Sequence, residues 1–243
     1  IRGVLALSGT VLCWGAVPVL LRELTHVVDS WTANGIRFPA ASILYWPILY
    51  YFHRRGELNG HVARQCLIPA LCIVSGQFFW AAAPYYMPAS SIGFFIRLTM
   101  VFSILFAMLF IPYERRLLRI QGFYWGLAIA TMGFLVLAFS GLDSSSKIEP
   151  MGIVCMVICS LSLGMYAVCI RLFLKGLNSI LSFGIVTQYV SVILLIAMAL
   201  FGDWRVVGSL SGRSWILLAI SSLLGISWSH TLLYIAIHRL GPS

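Results

Sequence analysis

Carboxylates are almost missing from this chain: seven Asp and Glu stand against sixteen Lys and Arg in 243 residues. None of the seven falls inside an apolar run. Acidic side chains commonly relay protons or hold cations within membrane proteins, so their lack argues against a carboxylate-lined path for polyvalent cations. Charge of either sign is also scarce. Charged residues make up 9% of the chain and hydrophobic ones 60%, with a mean hydropathy of +0.96. A soluble domain carries nearly three times that charge, and a chain of this length cannot hide so many apolar residues in one core. Nothing resembles a metal motif: the six cysteines lie in or at the ends of apolar segments, with no CxxC and no Cys/His cluster. They read as small packing residues. The net charge of +9 does not indicate nucleic acid, because the basic residues sit in short loops and form no basic aromatic groove. No processing site follows the first apolar stretch, and further stretches succeed it, so it reads as a span and not a signal peptide.

What remains is a series of long apolar runs. Eight are long enough to be membrane helices: about 3–21, 31–52, 66–87, 88–111, 120–140, 151–170, 179–201 and 214–237. Barrel strands would be nearer ten residues and would alternate. The fold class is therefore an all-α polytopic membrane protein. With alternating sides, ten basic residues, including Arg54, Arg55, Arg64, Arg115, Arg116 and Arg119, share the side of the N-terminus, against four, Arg22, Lys147, Arg205 and Arg213, opposite. The positive-inside tendency places the N-terminus in the cytoplasm.

An internal repeat is legible. WGAVPVLLR (14–22) matches LGMYAVCIR (163–171) at an offset of 149, and WAAAPYYMP (80–88) matches YIAIHRLGP (234–242) at 154, a shift that fits a small insertion. The units read as residues 3–141 and 148–243, five spans in the first and three in the second. Five is odd, so the second copy enters the membrane upside down relative to the first. Inverted repeats around a midplane site are one route to alternating access. By this logic eight helices of an expected ten are present, and the sequence is a fragment lacking the last two.

Trp14-Gly15 in the first span, Arg37-Phe38 in the second, Glu114-Arg115 after the fourth and Gln121-Gly122 opening the fifth, with Gly126 and Gly133 following, together resemble the drug/metabolite transporter superfamily, specifically its EamA-type members. The resemblance implies a secondary transporter of a small metabolite, often an amino acid or related compound, with no enzymatic activity and no cofactor. It implies small-molecule cargo and membrane lipid as partners and a plasma-membrane (bacterial inner membrane) location. Proton coupling and a homodimer are open options, and no nucleic acid is involved. Two other classes stand beside it: a membrane-embedded enzyme acting on a lipid intermediate, and a non-transporting binding or assembly protein. The chain departs from the family pattern where a proline is common in the fourth helix, here Leu98-Thr99-Met100, and where Trp-Gly becomes Leu163-Gly164 in the second unit.

Seven residues are candidates for cargo binding. Arg97 lies nine residues after Pro88, about 13 to 14 Å along a helix, near the middle of a hydrocarbon layer of about 30 Å. It is either an anchor for a carboxylate or phosphate or a brace bonded to carbonyls and tyrosines. Arg37 sits about 9 Å into its helix; it either lines a vestibule or pairs with Glu23 or Asp29. His230 either titrates and couples transport to protons or is bonded to Ser227 or another helix. Gln77 and Trp80 share a face of the third span with Pro84, Trp14 precedes Pro18 by a turn, and Tyr166 shares the equivalent face of the sixth span. Gly122, Gly126 and Gly133 permit close helix contact.

Overall fold

Proline and capping residues decide where the apolar runs become helices. In the computed structural model, which describes residues 2–140 and 149–240, the helices are α1 (Arg2–Leu24), α2 (Ser30–Ile43), α3 (Trp46–Arg54), α4 (Gly60–Gln65), α5 (Leu67–Tyr86), α6 (Ala89–Phe95), α7 (Leu98–Phe110), α8 (Gln121–Ser140), α9 (Pro150–Phe173), α10 (Ser179–Phe201), α11 (Gly212–Ser222) and α12 (Ser229–Leu240). A π turn, Leu223–Trp228, joins α11 to α12. No strand occurs among the described residues. Lys147, the junction between the two units and the matched Gly241-Pro242 lie outside the described residues. Six continuous helical stretches are long and apolar enough to cross a membrane: Arg2–Leu24, Gly60–Tyr86, Ala89–Phe110, Pro150–Phe173, Ser179–Phe201 and Gly212–Leu240. The protein is an all-α, multi-pass membrane protein.

Two expected spans are not single helices. The second breaks at Leu44–Tyr45, because Pro47 has no N–H for the Ile43 carbonyl and its ring crowds that oxygen; Pro47 instead occupies the first turn of α3. The fourth tightens at Ile96–Arg97. There ψ is −20° and −21°, as in a 3₁₀ turn, and the amides of Arg97, Thr99 and Met100 bond three residues back. A third departure lies in α8. A Cβ on Gly126 or Gly133 would meet nothing within 4 Å, and one on Gly122 only Ile120. The close helix approach expected there is not made among the described residues.

The main packing pairs are α5 with α9, α2 with α10, α7 with α9, and α1 with α12. Contacts recur at the offsets read from the sequence. Asp29 caps α2 by accepting from the amides of Trp31 and Thr32, both at 2.9 Å; Asn178, 149 residues later, caps α10 by accepting from Ile180 and Leu181 at 2.9 and 3.3 Å. Arg22 Nη1 donates to the Pro84 carbonyl, and Arg171 Nη1 donates to the His238 carbonyl at 3.2 Å. Gly3 lies against Leu240 as Gly152 lies against Tyr86 and Met87. Helix ends 149 to 154 residues apart are thus closed with the same bonds, which satisfies carbonyls and amides that helix termini leave open.

Asp29 carries an extra load, because its Oδ2 also accepts from the Asp203 amide at 3.1 Å, tying the start of α2 to the end of α10. Burial alone would raise this carboxyl. Hydrogen bonds from the Thr32, Asp203 and Trp31 amides outweigh it and hold the group below the ordinary carboxylate value. A depressed carboxyl stabilises the fold above its unfolded pKa of about 3.9, and that contribution is lost as pH falls through the lower folded value. Asp29→Ala is therefore expected to cost about 1 kcal/mol at neutral pH and to weaken the acid dependence of stability, read by thermal unfolding in detergent across pH 3–7.

Candidate functional site

Arg37 projects from the middle of α2 and is only 1% exposed. Burying a guanidinium is costly unless its donors are met. Here Nε donates to Ser221 Oγ at 2.9 Å, Nη2 to the Ser221 carbonyl at 3.3 Å, and Nη1 to Asn34 Oδ1 at 3.2 Å. Asn34 is one turn earlier on the same helix and donates onward through Nδ2 to the Gln77 carbonyl at 2.9 Å. No carboxylate joins the network among the described residues. The pairing expected with Glu23 or Asp29 is not formed: Glu23 pairs with Arg213 at 3.2 Å, 79% and 56% of whose side chains stay exposed for Arg213 and Glu23 respectively, and Asp29 is a helix cap.

Next to this guanidinium lies an aromatic group. A Cβ on Gly225, in the π turn, would stand 3.0 Å from Arg37 Nη2 and 3.0 Å from Val17 Cγ2, so the close approach of α1, α2 and the π turn requires glycine. One turn before Val17, the Trp14 ring meets His230 edge-on at 5.3 Å between centroids. Phe183 of α10 stacks on His230 at 5.3 Å with planes 8° apart, and Tyr166 of α9 meets its edge at 5.8 Å. Tyr166 Oη and His230 Nδ1 are 3.5 Å apart, so of the two structural partners expected for His230, Ser227 or another helix, the nearer is on another helix. Tyr234, wholly buried, contacts both Tyr166 and Phe183. Its hydroxyl, like those of Ser227 and Ser229, is buried without a hydrogen-bond partner.

Of the seven candidates, Trp14, Arg37, Tyr166 and His230 come together here. Gln77 joins through its backbone carbonyl, and Trp80, 8% exposed, lies a turn further along α5. Arg97 is elsewhere. It is exposed on the stripe that continues through Val101 and Leu105, and its side chain makes no hydrogen bond or ion pair among the described residues. Residues not singled out from the sequence complete the site: Asn34, Tyr45, Phe183, Ser221 and Tyr234. Two signals for them exist in the sequence. Asn34 precedes Arg37 by one helical turn, and Ser221, Ser222, Ser227 and Ser229 are a polar run in an otherwise apolar segment.

The arrangement can offer charge-assisted hydrogen bonds to an anion and flat apolar faces to whatever the anion is attached to. Gly225→Val is expected to cost about 1–3 kcal/mol through overpacking, whereas Gly126→Val on the open face of α8 leaves stability within about 0.5 kcal/mol. Unfolding of both variants in detergent checks this.

Comparison with known proteins adds the following. The profile of the EamA-like transporter family matches residues 1–139, more than half of the chain, from α1 into α8. No curated protein matches the chain.

Proposed function

The chain belongs to the EamA-like transporter family, a multi-pass membrane protein of the drug/metabolite transporter type, and from that premise we propose that it moves a small anionic or zwitterionic metabolite by alternating access. The observation that carries the reading is Arg37: a guanidinium enclosed by protein, without a carboxylate, beside the rings of Trp14, Tyr166 and His230. Buried charges within membrane proteins face cargo paths or paired groups, and this one meets only neutral acceptors. A carboxylate-bearing cargo supplies the missing negative charge. An amino acid is one member of this class, its ammonium group favoured by the aromatic faces.

In this reading residues 3–141 and 148–243 are two oppositely inserted units, with the N-terminus in the cytoplasm. The repeated caps and arginine-to-carbonyl bonds support a common unit, and the loop charges support the orientation. Arg97, where α6 turns into α7, is the second basic candidate; lipid surrounds the bundle, and the uncovered glycine face of α8 is where a second copy would dock. His230 is proposed to couple transport to protons.

The test is uptake by the protein reconstituted in liposomes. Small carboxylates and zwitterions are expected to accumulate chemically unaltered and organic cations to be excluded. Arg37→Gln is expected to lower uptake at least tenfold, and Arg97→Lys and Arg97→Gln to lower it less. Cargo recovered in altered chemical form would instead support an enzyme, and no accumulation a binding protein. For coupling, His230→Gln is expected to flatten the pH dependence of uptake; a wild-type rate independent of pH would remove His230 from that role.

A further inference from the structure

The offset between the units is 149 residues through α9 and α10, 152 at the caps Asn59 and Ser211, and 154 at Trp80 and Tyr234. The last step falls where α11, the π turn and α12 run on without a loop, so the second unit takes up its extra length in the widened turn Leu223–Trp228. Such turns mark inserted residues and cluster at functional positions. Carbonyls flanking this one accept side-chain donors from the first unit: the Ser221 carbonyl from Arg37, and the Ser227 carbonyl from Tyr45 Oη at 2.7 Å.

Ser221 does more than cap. Its two oxygens, Oγ and O, meet Nε and Nη2 of Arg37, and that edge of a guanidinium is one a carboxylate grips with two parallel bonds. The hydroxyl hydrogen is directed elsewhere, because Oγ donates to the Leu218 carbonyl at 3.0 Å, which leaves Oγ as an acceptor toward Arg37. One serine therefore fills the fork that the proposed cargo would use. We propose that Ser221 is a built-in surrogate for the cargo carboxylate and a specificity-determining residue: cargo binds by displacing it, and only an anion with two coplanar oxygens competes well against it. This rests on Arg37 being the cargo anchor. The adjoining π turn supplies a place for the displaced helix to adjust, and the unpartnered hydroxyls of Ser227 and Ser229 supply hydrogen-bonding capacity for a shifted turn. Bonds to a charged acceptor are about twice as strong as those to a neutral one, so a carboxylate wins the exchange where a neutral amide of the same shape does not.

Calorimetric titration of the purified protein in detergent with benzoate tests this, since benzoate has two coplanar oxygens and a flat apolar body. Benzamide serves as the neutral isostere. Wild type is expected to bind benzoate saturably and not benzamide. Ser221→Ala removes one of the competing acceptors and is expected to bind benzoate about three- to tenfold more tightly, the worth of one hydrogen bond. Ser221→Cys, a poorer acceptor, is expected to shift the same way, and Ser221→Thr, which keeps the hydroxyl, to match wild type. Arg37→Gln is expected to abolish binding. Affinity in both Ser221→Ala and Ser221→Cys equal to or weaker than wild type, with binding still dependent on Arg37, would overturn the surrogate and leave the anchor standing. Benzoate binding that is absent in wild type, or unaffected by Arg37→Gln, would overturn the anchor and the surrogate with it.

Discussion

A guanidinium has five N–H donors and a charge that is never given up, and at Arg37 both are taken out of water with no acid to receive them. Everything close to that side chain answers this constraint. Asn34 accepts one bond and passes the strain on to the Gln77 carbonyl. Ser221 offers two oxygens. Gly225 has no side chain, so the π turn and Val17 can close around the group. Three of the five donors are met, all by neutral acceptors among the described residues, and that mismatch separates this site from an ordinary structural ion pair. A buried charge left only partly compensated costs stability that a purely structural position would shed by substitution with an apolar residue of similar size.

Segments at matching offsets make the site by differing where they could have been alike. Their helix ends are closed by the same cap and the same arginine-to-carbonyl bond. At the crossing of α5 with α9 and that of α12 with α1 the pattern splits. Gly76 lies against Leu163 on one side of the bundle, while the residues at the matching offsets, His230 and Trp14, meet as an edge-on ring pair on the other. One crossing is close and bridged by a Ser75–Ser162 hydroxyl pair at 3.0 Å, the other is built on packed rings, and the second includes His230, near Arg37. Repetition supplies the scaffold here, and departures from repetition supply the chemistry.

Helix positions were largely legible in the sequence and facing was not. Counting residues along apolar runs located most helical stretches, the second run excepted, which breaks at Leu44–Tyr45, and the matches of WG…R to LG…R and of W…P to Y…P set the offsets at which bonds recur. The same counting put Arg97 near the middle of its run, yet that side chain is exposed while Arg37 is enclosed. In a helix apolar on every side, the stripe toward lipid and the stripe toward protein have the same composition, so periodicity carries no signal about which way one arginine points. The break before Pro47 follows from the missing N–H and was available to inspection. The tightening at Ile96–Arg97 has no such marker. The shift from 149 to 154 signalled an insertion, but the sequence did not show that its last step, from 152 to 154, falls within the continuous helical stretch after Ser211 that carries the π turn, with Ser221 beside it.

The central claim is that water-borne anions reach Arg37. It is tested most directly by placing a single cysteine at position 221 in an otherwise cysteine-free protein, reconstituting it in liposomes, and exposing it to an anionic, membrane-impermeant thiol reagent. Covalent labelling that slows when a small carboxylate is added is the result expected of a cargo chamber. A cysteine that stays inert in the folded protein from either side of the membrane, yet reacts fully once the protein is denatured, would contradict the account.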